Sequence, residues 1–154
     1  MKQHTYSTKL EWTGNLGKGT SSYRSYNRDY NIKIDGKPIL EGSSDPAFRG
    51  DPQKYNPEEM LLASVSSCHM LWYFHLCAQH KIIVTGYIDE AKAVMEEKPD
   101  GSGSFSAVTL SPKITIGHES DFQKAIDLHT EAHKYCFVAN SVNFPISIVP
   151  LVFT

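Results

Sequence analysis

Apolar and polar residues alternate along the first third of this chain. Tyr6, Thr8, Leu10 and Trp12 fall on one face of residues 4–12, a period of two that predicts a strand. The three glycines of GNLGKGT (14–20) supply a turn. Residues 23–34, rich in tyrosine and isoleucine, predict the returning strand. Asp35-Gly36 predicts the next tight turn, and residues 38–40 a short third strand. Residues 42–54 form a loop by composition, and Arg49 sits inside it.

At residues 55–80 the pattern changes to a helix with strong start signals. Asn56 can cap the free amides, Pro57 suits the first helical position, and Glu59 can close a capping box back to Asn56. No Gly or Pro follows until Gly86. On a wheel with Cys68 at zero, Leu61, Val65, Trp72 and Leu76 fall at roughly 20° to 80°; Met60, Met70, Leu71 and Phe74 fall at roughly 200° to 300°. Both flanks are therefore apolar, which predicts a helix buried on nearly all sides. Its length would also suit a membrane span. However, Ser64, Ser66, Ser67, His69 and His75 occupy its middle, so the core reading is preferred. Small residues at 63, 64, 66 and 67 lead into Cys68 and would let another backbone approach closely there.

The remainder alternates again. Residues 81–97 predict one long strand and PDGSG (99–103) a hairpin turn. Val108, Leu110, Ile114 and Ile116 share the inner face of a half-buried strand, with Pro112 marking an edge or a bulge. Residues 120–136 predict a second, amphipathic helix, with Ser120 and Gln123 as its capping box. Phe122, Ala125, Ile126, His129, Ala132, His133 and Cys136 form its apolar stripe, opposite Lys124, Asp127, Glu131 and Lys134. Val142, Phe144, Ile146, Ile148 and Val152 then turn inward to close a sheet. With no repeat or linker, residues 1–154 are expected to form a single domain.

Composition narrows the function. A net charge of −2 without a basic cluster argues against nucleic acid and against an anionic membrane surface. The first dozen residues contain no apolar run, and three cysteines, an odd number, point to a reducing compartment, the cytoplasm. P-loop, dinucleotide and G-x-S-x-G signatures are all missing. His129, His133 and Cys136 fall at i, i+4 and i+7, a spacing that could present three zinc ligands. No second ligand cluster supports them, and no metal is expected.

Thiol chemistry remains. On its own stretch Cys68 reads as a small buried hydrophobe. Cys77 lies about 180° round the helix from it and cannot pair with it there, which leaves Cys136 as the candidate partner. A reactive thiol needs a nearby positive charge, and the only arginines are Arg24, Arg28 and Arg49. Glu58 could orient whichever arginine serves; unlike Glu59, it is not accounted for by capping.

Three features together resemble the OsmC/organic hydroperoxide resistance family: NPEE at 56–59, the ten-residue step from Glu58 to Cys68, and a second cysteine after an amphipathic helix in HKYCFVANSV (133–142). The resemblance spans nearly the whole chain. It implies an α+β fold, with antiparallel sheets around a buried central helix and a second amphipathic helix, assembled as an intertwined homodimer. It implies a thiol peroxidase that reduces organic hydroperoxides and needs no cofactor. By the same resemblance Cys68 corresponds to the peroxidatic cysteine, Cys136 to the resolving one that forms a disulfide with it, and Glu58 to the acidic partner of an arginine. Arg49 fits the position of that arginine in the OsmC branch, and Arg28 the position in the hydroperoxide resistance branch. An external dithiol, of lipoyl type in the family, would restore both thiols. The alternative is a non-enzymatic small-ligand or metal-binding protein of the same fold, using the histidines of the second helix. Ten helical residues between Glu58 and Cys68 span about 15 Å, too far for direct action along one helix, so a bridging arginine or a second subunit is expected to complete the site.

Overall fold

The fold, obtained as a computed structural model, is described for residues 1–118 and 121–154. It comprises two compact units, Met1–Met60 and Leu61–Thr154. The first unit is an antiparallel meander of β1 (Lys9–Trp12), β2 (Tyr30–Lys33) and β3 (Leu40–Gly42). Its strands are shorter than the alternation predicts, because side chains claim the intervening backbone. Arg28 donates from Nη1 to the Tyr26 carbonyl and from Nη2 to the Tyr23 carbonyl, both at 2.6 Å, with its guanidinium over both tyrosine rings. This grip folds residues 23–29 into a turn that cannot continue β2. The turn at Asp35-Gly36 is present, with Lys37 N–H on the Ile34 carbonyl at 3.0 Å and Gly36 at φ 75°. The third strand lies two residues later than expected.

Helix α1 (Pro57–Gln79) starts as its sequence dictates. Asn56 N–H donates to Glu59 Oε2 at 3.1 Å and Glu59 N–H donates to Asn56 Oδ1 at 2.8 Å, a closed capping box. It is not buried on all sides, however. Val65, His69, Tyr73, Leu76 and Cys77 are buried, whereas Ala63, Ser67, Leu71, His75 and Ala78 are exposed at roughly four-residue steps. Leu71 keeps 62% of its surface in solvent.

The second unit holds two three-stranded sheets among its described residues. β4 (Val84–Asp89), β7 (Pro112–Ile116) and β9 (Leu151–Phe153) form one; β5 (Lys92–Glu97), β6 (Gly103–Leu110) and β8 (Ile146–Ile148) form the other. The expected antiparallel sheets are therefore mixed: β7–β9 and β6–β8 pair in parallel. Residues 81–97 make two strands in two sheets instead of one long strand, and the run from Val108 to Ile116 is likewise split at Ser111. Asp89 accounts for both breaks. One carboxylate oxygen accepts the Ser111 amide at 2.7 Å and the other accepts the Ser66 hydroxyl of α1. The inward parity of Val108, Leu110, Ile114 and Ile116 survives the break, and all four are buried, as is Pro112 at the start of central strand β7. The hairpin at residues 99–103 joins β5 to β6, with Gly101 at φ 83°.

α2 (Phe122–Tyr135) covers this unit with Ala125, Leu128, His129 and Ala132, although Ile126 of the expected stripe stays 38% exposed. Its Ser120 cap lies outside the described residues; Gln123 turns its amide to Asp127 at 2.9 Å. Tyr73, Leu76 and Cys77 of α1 pack with Ile114, Ile116, Ala125 and Leu128 as the main core.

Candidate active site

The second unit brings Cys68 and Cys136 together. Cys68, half-buried on α1, lines an open groove of about 520 Å³. The floor of the groove is the uncovered face of α1, where Ser64, Ser67, Leu71 and His75 follow helical spacing around the thiol. Trp72, Phe137 and Val138 form its wall. Trp72 is held in place by aromatic contacts, stacked on Tyr135 at 5.3 Å and edge-on to Phe137 at 5.5 Å. Leu71 and His75, three and seven residues beyond Cys68, could have been placed beside it from the wheel. Phe137 and Val138 had no such signal, since they arrive from the far end of α2.

Cys136 ends α2 and is fully buried. Its sulfur accepts the Ala139 N–H at 3.4 Å and neighbours the Cys68 thiol. Burial pushes the Cys136 thiol well above its ordinary pKa, and the neighbouring Cys68 pushes it further. The amides of Ala139 and Val138 recover only part of this. Cys136 therefore keeps its proton at neutral pH. Cys77 is buried on the opposite flank beside Tyr73, with its thiol also raised by burial.

Arg49 and Glu58 belong to the first unit. Arg49 closes the turn after Pro46–Phe48 in a left-handed conformation, φ 67°, uncommon for a residue with a side chain. The following Gly50 is obligatory, because a Cβ there would lie 1.5 Å from the Ser44 carbonyl oxygen. Among the described residues the Arg49 guanidinium makes no hydrogen bond or ion pair, whereas that of Arg28 is consumed by its tyrosine turn. Glu58 is half-buried in the first turn of α1, and its charge helps raise the pKa of Tyr30, behind the larger effect of burial.

His129, His133 and Cys136, whose spacing could present three zinc ligands, do not converge. Among the described residues no three His, Cys, Asp or Glu side chains are placed to hold a metal ion. Cys136 turns to Cys68, and His129 instead meets His69 across the core, Nδ1 to Nε2 at 2.9 Å. The His129 ring also stacks on Tyr73 at 3.9 Å. Burial holds His69 down to about 4 and His129 to about 3, with smaller repulsions from His133 and His69 respectively. Sequence reasoning missed this pair, whose members lie sixty positions apart in the chain.

The family model described as OsmC-like protein matches residues 50–150. Among solved structures, an OsmC-like protein of unknown function from Vibrio cholerae is 26% identical, with a TM-score of 0.86 over 97% of this chain and 100% of that one. An organic hydroperoxide resistance protein from Elizabethkingia anophelis superposes with a TM-score of 0.69 at 21% identity, covering 99% of each chain. One from Legionella pneumophila gives 0.67 at 17%, covering 99% of this chain and 100% of that one. The last two, at these identities, establish the fold alone. No curated protein matches the chain in sequence.

Proposed function

This chain belongs to the OsmC-like protein family, and on that premise we propose that it is a cysteine-based peroxidase that reduces organic hydroperoxides. One observation carries the reading: an accessible thiol in an apolar groove neighbours a second, buried thiol that retains its proton. This asymmetry supports a division of labour. Cys68, as thiolate, attacks the terminal oxygen of ROOH; the O–O bond breaks, RO⁻ leaves and takes a proton as the alcohol, and Cys68 becomes a sulfenic acid. The Cys136 sulfur then attacks the Cys68 sulfur, its own proton and the sulfenic hydroxyl leave as water, and a disulfide forms. An external dithiol, of lipoyl type in our reading, reduces it back. The apolar lining supports an organic substrate over hydrogen peroxide, since burying its alkyl or aryl body releases water from both surfaces.

Arg49 and Glu58 are the pair we assign to thiolate support, and the uncommitted guanidinium of Arg49 favours it over Arg28. We further propose a homodimer in which the second copy roofs the groove over the open strip of α1 around Leu71, so that the substrate is enclosed between the two chains. The three free thiols fit a reducing compartment, the cytoplasm.

Intact-mass spectrometry during a titration with organic hydroperoxide tests the chemistry. The wild type should lose about two mass units as the disulfide forms, and Cys68→Ser should consume no peroxide. An active Cys68→Ser protein, or a disulfide that includes Cys77, would overturn the assignment.

A further inference from the structure

In the first unit a buried donor and a nearby acceptor both lack partners among the described residues. Tyr30 opens β2, opposite Trp12 of β1 and Gly42 of β3. Its ring lies across Gly42, where a Cβ would stand 2.4 Å from the ring carbons Cε2 and Cζ and 2.6 Å from the hydroxyl oxygen. β3 thus forgoes a side chain so that the phenol can pass over it. The hydroxyl at the end of that ring is buried, with no hydrogen bond among the described residues. A buried polar group left unpaired costs stability, and a phenylalanine ring would fill the same space, so the hydroxyl itself calls for an account.

Strand pairing sets what lies beyond it. Gly42 bridges in parallel to Tyr55, and the Ser43 N–H donates to the Tyr55 carbonyl at 3.0 Å, so β3 runs beside the residues that lead into α1. Glu58 stands half-buried in the first turn of that helix, and its carboxylate accepts no hydrogen bond and joins no ion pair among the described residues. Other polar side chains around this junction are committed. Ser43 donates to Asp29 Oδ1 at 3.0 Å, Lys54 pairs with Asp29 Oδ2 at 2.8 Å, and Asn56 and Glu59 close the capping box. The Glu58 charge is felt at Tyr30, where it reinforces burial in keeping the phenol protonated. A protonated phenol can donate and a carboxylate only accepts, so the groups left over are complementary.

We infer that Tyr30 is the positioning residue for Glu58: its hydroxyl donates to the Glu58 carboxylate and holds that side chain in one rotamer. A glutamate turns about several bonds, and nothing else among the described residues grips this one, so it is free to take the donor. A hydrogen bond to a charged acceptor is both strong and directional, which suits it to aiming a carboxylate. The inference rests on the peroxidase reading above, in which Glu58 and Arg49 support the Cys68 thiolate, and adds a residue to it. Tyr30 takes no part in the O–O cleavage; its effect reaches the thiol only through Glu58.

The test is a double-mutant cycle on the single-turnover rate of Cys68 oxidation by cumene hydroperoxide. Tyr30→Phe keeps the ring over Gly42 and removes only the hydroxyl; it should slow the oxidation about tenfold, in keeping with one hydrogen bond to a charged group, with no fall in Tm. Glu58→Ala removes the acceptor, and in that background Tyr30→Phe should have no further effect, an outcome that a merely structural role for the phenol does not produce. Tyr87→Phe, which deletes another buried, unpaired hydroxyl in the second unit, should leave the rate unchanged. A Tyr30→Phe protein that reacts at the full rate would overturn the inference. So would an equal loss from Tyr30→Phe with and without Glu58, or an equal loss from Tyr87→Phe. A wild type whose Cys68 is not oxidised at all would instead overturn the peroxidase reading, and this inference with it.

Discussion

Acidification from about pH 7.5 to about pH 5 is expected to weaken this fold by about 4 kcal/mol through His69 and His129. His69 Nε2 and His129 Nδ1 meet at 2.9 Å, with the Tyr73 ring stacked on His129 and His133 adding positive potential at His69. Burial is the main cause for both, lowering their folded pKa values from 6.5 to about 4 and about 3. Protonation is therefore easier in the unfolded chain. Stability from the pair is complete above pH 6.5, and it drains away as pH falls below that value because the unfolded state takes up protons first. At pH 5 each histidine is about 1.5 units below its unfolded pKa, worth about 2 kcal/mol apiece at about 1.36 kcal/mol per unit. Against a total of about 5 to 15 kcal/mol for a typical domain, this is a large share. Carboxylates such as Asp29, already held low by Lys54, titrate below this window. Urea denaturation followed by tryptophan fluorescence at a series of pH values measures the effect. The double variant His69→Leu/His129→Leu removes both partners together, which avoids leaving one polar ring orphaned. Its unfolding free energy should be markedly flatter between pH 7.5 and pH 5. A wild-type change below about 1 kcal/mol, or an undiminished slope in the double variant, would refute the reasoning.

Further outcomes follow from the remaining geometry. Cys136→Ser should still consume one equivalent of peroxide rapidly, then gain about two oxygens at Cys68 under excess oxidant, read by intact mass. Glu59→Ala should cost about 1 kcal/mol in thermal or urea unfolding by opening the capping box, with little effect on rate. Glu58→Gln should lower the peroxidase rate with little loss of stability, and equal rate effects from the two glutamates would show their roles misassigned. Sedimentation at micromolar protein should give a dimer; a fully active monomer would contradict the proposed assembly.

The parts of the fold legible in the sequence are those set by neighbours in the chain. Asn56, Pro57 and Glu59 fix the start of α1 within four residues, and PDGSG fixes the hairpin. The break at Ser111 was invisible because the inward parity of Val108, Leu110, Ile114 and Ile116 runs straight through it. Only a carboxylate arriving from Asp89 reveals that the chain changes sheets. In the same way, Arg28 shortens β2 through contacts that no period of two can encode. The proposed pairing of Cys68 with Cys136 comes from the resemblance, while the asymmetry between them needed the burial of one and the groove at the other. The open strip of α1 was misread because a wheel counts apolar residues and cannot say which of them find neighbours.

Asp89 also bears on the aim of the Cys68 sulfur. Its hold on Ser66 falls two residues before Cys68, while its other oxygen is anchored at the Ser111 bend. Apolar packing is indifferent to small rotations, whereas a hydrogen bond is directional. The azimuth of α1, and with it the bearing of the Cys68 side chain, is thus set by a latch whose carboxylate is no part of the groove lining. Loosening that latch would leave every groove residue in the sequence while turning the thiol off its line, so loss of activity at position 89 would report misalignment of the helix and not a missing chemical group.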